Sequence, residues 1–309
     1  MRDKLFTLIG GGGFLGRYVA QALMATGARV RVAQRDPRGA WYLKPLGALG
    51  QTQFVAADIT RPDTIERAIA GADGVVNLVG SFTGDLYRLH VAGPRALAEA
   101  ARKAGVASLV HVSAIGADPE GDAAYAQTKG DGEAAVREAF PGATILRPST
   151  VFGREDQFIN MFAGMVARLP VVPVLKPQTR FQPVFAGDVG DAVAHVLCEP
   201  ARFAGRTFEL GGPDVLTMLE LQQWIATQIG RDPAFLPLPD ALGGLLAVLP
   251  GAPISRDQWK LLQKDTVVAP GADGLEALGV TPTPLAAVAP GWLVKYQRAG
   301  RFARPTAAA

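Results

Sequence analysis

The stretch Leu5-Phe6-Thr7-Leu8-Ile9-Gly10-Gly11-Gly12-Gly13-Phe14-Leu15-Gly16 decides the fold. A short, mainly apolar run enters four glycines, and helical spacing of apolar residues follows from Phe14 to Ala25. Gly10, Gly13 and Gly16 stand three residues apart. A strand that turns this sharply into a helix presents the helix's free N–H groups to phosphate oxygens. Glycine permits the tight turn, the approach of a pyrophosphate to the backbone, and close packing of helix on sheet. Gly10, Gly13, Phe14, Leu15 and Gly16 are therefore expected to cradle a dinucleotide.

The pattern outside this stretch agrees with it. Arg29–Ala33, Gln53–Ala56, Gly74–Leu78, Ser108–Val112 and Ala143–Leu146 read as strands. Between them, Ile65–Ala70, Leu89–Ala104 and Ala123–Phe140 read as helices. Alternation of this kind predicts an α/β fold, a Rossmann-type doubly wound parallel sheet covered on both faces, over residues 1–150. Beyond Arg147 prolines cluster, while Asp188–Cys198 and Met218–Ile229 keep an amphipathic helical pattern. Residues 151–302 are expected to form a small mixed C-terminal lobe that completes the fold, and 303–309 a disordered tail.

The second strand ends Val32-Ala33-Gln34-Arg35, with Arg38 close behind. An acidic residue at its end would bind ribose hydroxyls; a guanidinium matches a 2′-phosphate in charge and in fork geometry. This predicts NADP(H), although Asp36, one position later, is also within range of a ribose. Asp58-Ile59 follow the third strand, where the adenine edge is expected. Val79-Gly80 follow the fourth, where backbone passes close to a cofactor.

Ser113 ends the fifth strand, and Tyr125 and Lys129 share one face of the next helix. A lysine beside a tyrosine lowers the phenol's pKa and makes it an acid/base, with the serine hydroxyl on the substrate oxygen. Two readings stand: Ser113, Tyr125 and Lys129 are catalytic, or they only hold the nicotinamide ribose.

Together with Arg147-Pro148-Ser149, these motifs resemble the short-chain dehydrogenase/reductase superfamily in its extended or atypical branch, over most of the chain. Val151-Phe152-Gly153-Arg154-Glu155-Asp156-Gln157-Phe158-Ile159-Asn160 is more specific. It resembles a segment of the NADPH-holding accessory subunits of respiratory complex I, the alpha subcomplex subunit nine family, with its bacterial relatives. Gly16-Arg17-Tyr18, Val76-Asn77-Leu78-Val79-Gly80, His111-Val112-Ser113 and Phe181-Gln182-Pro183-Val184 are similar to that family too. The resemblance implies tight NADPH binding, with Pro148 among the cofactor contacts. It further implies a role in assembling or stabilising complex I near its quinone site, without established turnover. Ile9 departs from the threonine that many extended enzymes carry before the first glycine. The eleven residues between Ser113 and Tyr125 are fewer than most such enzymes have.

Composition narrows the alternatives. The 309 residues are 49% hydrophobic and 19% charged, which argues against global disorder. Lys+Arg 31 against Asp+Glu 28 leaves +3, too little for a general nucleic-acid binder. A single cysteine, Cys198, excludes a disulfide framework, and His90, His111 and His195 lie far apart, so no metal is expected. No targeting segment precedes the first strand and no apolar run spans a bilayer, which predicts a bacterial, cytoplasmic protein, and the resemblance to subunits of a membrane-bound complex implies a peripheral place on the cytoplasmic face of the inner membrane. Lys295, Arg298, Arg301 and Arg304, interleaved with Trp292, Tyr296 and Phe302, suit either an anionic membrane surface or a solvated helix end. Leu242–Leu249 reads as a buried helix or as an apolar patch for a partner. Cys198, His111, Trp224 and Trp259 are expected in the core.

Overall fold

A computed structural model describes residues 1, 3–247 and 254–298. The chain forms two compact units, and the first is discontinuous: Met1–Ser149, Ala186–Gly211 and Val268–Pro282. Its elements are β1 (Leu5–Ile9), α1 (Phe14–Ala25), β2 (Arg29–Gln34), β3 (Thr52–Ala56), α2 (Pro62–Ile69), β4 (Gly74–Asn77), α3 (Gly93–Lys103), β5 (Ser108–Val112), α4 (Ala124–Ala139) and β6 (Thr144–Pro148). A seventh strand, Thr207–Leu210, pairs parallel with β6.

The sheet runs Thr207–Leu210, β6, β5, β4, β1, β2, β3, and every pairing is parallel. Every residue of β4 and β5 is buried, as expected for strands with both faces covered. On one side Ile65, Ile69, Leu97, Ala98, Val136 and Ile145 form a shared core with β4 and β5. On the other, helix Ala186–Cys198 lies so close to α1 that a Cβ on Gly190 would stand 2.8 Å from the Tyr18 carbonyl oxygen. The strand order reverses between β1 and β4, which opens a crevice at the carboxyl ends of the strands.

Two local features differ from the sequence reading. Leu89–Ala104 is not one regular helix, because a π-helical turn, Arg88–Ala92, precedes α3. Such turns concentrate at functional sites. Between β2 and β3 the chain forms a 3-10 helix, Pro37–Leu46, anchored by buried Ala40 and Leu43.

The second unit comprises Thr150–Phe185, Gly212–Val267 and the chain from Thr283. Helices Phe158–Arg168 and Met218–Gln228 pack around Phe152, Phe162, Phe181, Leu221 and Ile225. Asp156 organises the family-like segment. Its carboxylate accepts from the N–H groups of Gly153 (3.1 Å), Ile159 (2.6 Å) and Asn160 (3.3 Å), tying the turn to the helix that follows. Tyr296 donates its hydroxyl to Asn160 Oδ1 at 3.1 Å.

Trp292 belongs to this core and is only 9% exposed. The aromatic half of the expected C-terminal membrane patch is thus turned inward at Trp292 and engaged at Tyr296. Arg301, Phe302, Arg304 and the tail 303–309 lie outside the described residues. Cys198 is half-buried rather than buried, and Trp224 and Trp259 are half-buried too. Leu242, in helix Asp240–Leu246, is exposed, while residues 248 and 249 lie outside the described residues. Among the described residues, no helix is long and apolar enough to cross a membrane.

Candidate dinucleotide site

A cleft of about 680 Å³ opens at the carboxyl ends of β1 to β4. Gly10, Gly13, Arg35, Asp58, Ile59, Val79 and Gly80 all line it. Gly10 has φ +80°, the left-handed region that favours glycine, so the chain can leave β1 and double back toward α1. A Cβ on Gly16 would collide with the Gly11 carbonyl, so this glycine serves packing of helix on strand. Gly13 is different. Within 4 Å a Cβ there would meet only the Gly10 carbonyl oxygen, at 3.4 Å, so the space above it is open. Gly13 is also the N-cap of α1, and no side chain caps that end. The first-turn N–H groups of Phe14, Leu15 and Gly16 have no acceptor within the helix. An open glycine before an uncapped helix start fits a pyrophosphate.

Arg35 lines the cleft; Arg38 does not. Asp36 Oδ1 accepts the Arg38 N–H at 3.0 Å and so caps the 3-10 helix. That use of the Asp36 carboxylate leaves Arg35 as the charged side chain of the β2 end that faces the cleft. Asp58 accepts from the Thr60 N–H (2.9 Å) and hydroxyl (2.8 Å), and these bonds, with Arg35 and Arg61 nearby, hold its carboxyl below the usual range.

Ser113, Tyr125, Lys129 and Pro148 lie outside the cleft lining. The first three gather near the end of β5, while Pro148 ends β6 and accepts the Ile115 N–H at 3.0 Å. Lys129 Nζ donates to the Val112 carbonyl at 3.1 Å, and a Cβ on Gly80 would lie 3.6 Å from that ammonium. Ser113 Oγ is buried without a hydrogen-bond partner. Tyr125 stacks under Phe82, with ring centroids 4.4 Å apart and planes at 24°, and meets the edge of His90. Burial pushes the phenol up to about 12, not down as the lysine neighbour led one to expect. Lys129 Nζ lies 5.9 Å from the ring centroid, directed to a backbone carbonyl, and burial lowers it to about 8 against the pull of Glu133.

Sequence reasoning missed the groups that shape the approach to Tyr125. Phe82 belongs to the Gly80–Gly84 loop, whose small and polar residues gave no sign of a stacked ring. His90 Nε2 accepts the Ser81 N–H at 3.2 Å, so Nδ1 carries the proton toward Thr128 Oγ1 at 2.9 Å. Burial, with Lys129 adding to it, holds His90 down to about 4, which keeps it neutral and this loop pinned to α4. His111 faces the core as expected and has a task there. Its Nδ1 accepts from Asn77 Nδ2 (3.0 Å), while Asn77 Oδ1 accepts the Val79 N–H (3.1 Å), fixing the backbone that walls the cleft.

Lys129 should leave a signature in stability. It titrates near 8 in the fold and near 10.5 when unfolded. Between these values the unfolded chain binds the extra proton, so stability rises as pH climbs from about 8 toward 10. Above 10 the unfolded Tyr125 phenol ionises while the folded one, at about 12, keeps its proton, and stability falls again. Below 8 Lys129 is charged in both states and its burial costs about 3 kcal/mol. Lys129→Met is therefore expected to stabilise the protein by up to about 3 kcal/mol at pH 7, and by little at pH 10. Urea denaturation at the two pH values checks this; equal effects at both would contradict it.

The profile of the NAD dependent epimerase/dehydratase family matches residues 6–211. The rat mitochondrial NADH dehydrogenase [ubiquinone] 1 alpha subcomplex subunit 9 is 36% identical over 290 residues, 90% of this chain and 77% of the relative. A ceramide reductase of Caulobacter vibrioides is 30% identical, covering 91% of this chain and 86% of its own. An Escherichia coli NADPH-dependent quinone oxidoreductase, solved with NADPH, superposes with a TM-score of 0.75 at 21% identity, covering 91% of this chain and 97% of its own. At that identity the last comparison speaks for the fold alone. The chain belongs to the NAD dependent epimerase/dehydratase family and is related to the alpha subcomplex subunit 9 of respiratory NADH dehydrogenase.

Proposed function

We propose that this protein holds NADPH as an accessory or assembly subunit of a bacterial NADH–quinone oxidoreductase, near its quinone site, without turnover of its own. In this reading it lies peripherally on the cytoplasmic face of the inner membrane. One observation carries the proposal: the cleft has what a dinucleotide phosphate needs, while Tyr125 lies outside its lining, stacked under Phe82 with its phenol at about 12. A nucleotide can be held there without an acid/base poised for neutral pH. Bound NADPH would offer a hydride. The chain's own residues would seat its phosphates at Gly10 to Gly16 and its 2′-phosphate at Arg35.

A second reading, an NADP-dependent reductase, draws on Ser113, whose buried hydroxyl lacks a partner, and on the ceramide reductase relative. Ser113 would then hold a carbonyl oxygen, Tyr125 would supply the proton, and Lys129 would assist it.

Purification from native membranes in mild detergent tests the proposal. The expected result is co-purification of NADH–quinone oxidoreductase subunits, with NADPH retained. In the same preparation, Arg35→Ala should weaken NADPH by roughly 10- to 100-fold and leave NADH nearly unchanged, since one charge-assisted phosphate contact is lost. Recovery of the protein without such subunits, together with carbonyl-dependent oxidation of NADPH, would favour the reductase.

A further inference from the structure

Four large apolar side chains stand at the surface within nine residues: Trp41 (49% exposed), Tyr42 (38%), Leu46 (42%) and Leu49 (107%). They belong to the 3-10 helix Pro37–Leu46 and the turn after it. Ala40 and Leu43 are fully buried and anchor the segment, while Trp41, Tyr42 and Leu46 keep exposed surface. The Lys44 ammonium lies 4.2 Å from the centroid of the Trp41 ring. The Arg17 guanidinium lies 4.4 Å from the centroid of Tyr42. Apart from Arg35, which lines the dinucleotide cleft, the cations between residues 35 and 50 are Arg38 and Lys44, and the one acid, Asp36, caps the helix. A group of exposed apolar side chains this close in the chain marks an interaction site.

We infer that Trp41, Leu46 and Leu49 form a docking surface for an anionic lipid bilayer. The charge selects this occupant. Aromatic rings and leucines rimmed by cations match an interface with acyl chains below and negative headgroups around. The surface differs from the C-terminal patch read from the sequence, whose Trp292 is buried. It does not rest on the assignment to a respiratory complex, since a reductase acting on a membrane-dissolved carbonyl compound would use it equally. It also reaches the dinucleotide site: the Tyr42 hydroxyl donates to the Gly12 carbonyl at 3.1 Å, so the docked segment would bear on the phosphate loop.

The test is sedimentation of the purified full chain with vesicles of phosphatidylcholine, alone or mixed with phosphatidylglycerol. Binding to the mixed vesicles is expected to be at least tenfold tighter at low salt, at about fivefold per cation near the surface. Leu49→Ser and Lys44→Glu should each weaken it by about tenfold or more, with circular dichroism unchanged because both side chains are exposed. Vesicles should shift the tryptophan emission to the blue in the parent, and Trp41→Phe should remove the shift while preserving binding. Equal sedimentation with both vesicle types would overturn the inference. So would variants that bind as the parent does, or a blue shift that survives Trp41→Phe. Loss of self-association or of a co-purifying protein in Leu49→Ser, with vesicle binding intact, would assign the surface to a protein and overturn it too.

Discussion

Gly13→Val is expected to abolish dinucleotide binding while the protein still folds. The site has room for the side chain as far as the protein is concerned, because a Cβ there meets only the Gly10 carbonyl oxygen at 3.4 Å. That room is the space a pyrophosphate would take above the N-terminus of α1. The branched methyls would exclude the phosphates and deny them the first-turn N–H groups. Loss of that electrostatic seat and of the contact together is expected to exceed 1000-fold in affinity, about 4 kcal/mol. Calorimetry with NADPH and NADH measures it, and circular dichroism reports the fold. Retained affinity would mean that the nucleotide sits elsewhere in the cleft. The contrast is Gly16→Val, which would drive a side chain into the Gly11 carbonyl and is expected to fail at folding instead.

A loss of stability is expected at Glu133, which is 1% exposed on α4. Arg147 on β6 meets it through two bonds of 2.8 Å, Nε to Oε1 and Nη2 to Oε2, and Arg137 adds a contact of 3.3 Å. Arg147 also reaches Glu209 at 3.5 Å, and Arg137 donates to the Thr207 hydroxyl at 2.7 Å. The network thus joins α4, β6 and the strand Thr207–Leu210. Glu133→Ala would leave Arg137 without this carboxylate and Arg147 with only the longer contact to Glu209, and because both guanidinium groups are partly exposed the cost is about 1.5–3 kcal/mol. Glu133→Gln, which keeps the shape and one acceptor, should recover part of it. A denaturation midpoint unmoved in the alanine variant would show that the pair gains nothing over water. The same variant should take from Lys129 the carboxylate that opposes its downward shift, so that its ammonium titrates still lower.

The sequence disclosed those parts of the molecule whose causes are local. The strands β1 and β5 agree with their sequence spans residue for residue, because each is a compact run bounded by turn signals. Gly10 and Gly13 of the glycine loop came out on one cleft with Arg35, Asp58, Ile59, Val79 and Gly80, because a parallel sheet brings strand ends together, while Phe14, Leu15, Gly16 and Arg38 do not line it. What stayed hidden depends on distant partners. Thr207–Leu210 is four residues long, and its strand character comes from pairing with β6, far back in the chain. Trp292 was read beside Lys295 and Arg298 as surface; packing in the core around Phe152 sets its environment. Arg35 and Asp36 could not be ranked until the 3-10 helix drew the carboxylate into its cap. The spacing of Tyr125 and Lys129 gave a common helix face but not the Phe82 ring that covers the phenol.

The late return of Thr207–Leu210 to β6 bears on the birth of the protein. During synthesis β6 leaves the ribosome with its outer edge unpaired, and it stays so for several seconds at ~5–20 residues per second. An open edge in that interval is a template for pairing with another chain. The lining of the dinucleotide cleft ends at Leu89, so its residues have all emerged before that edge is closed. A nucleotide able to bind the partial sheet would stabilise it through this interval by mass action. Cells short of the nucleotide would then lose newly made protein to aggregation while the mature protein persisted.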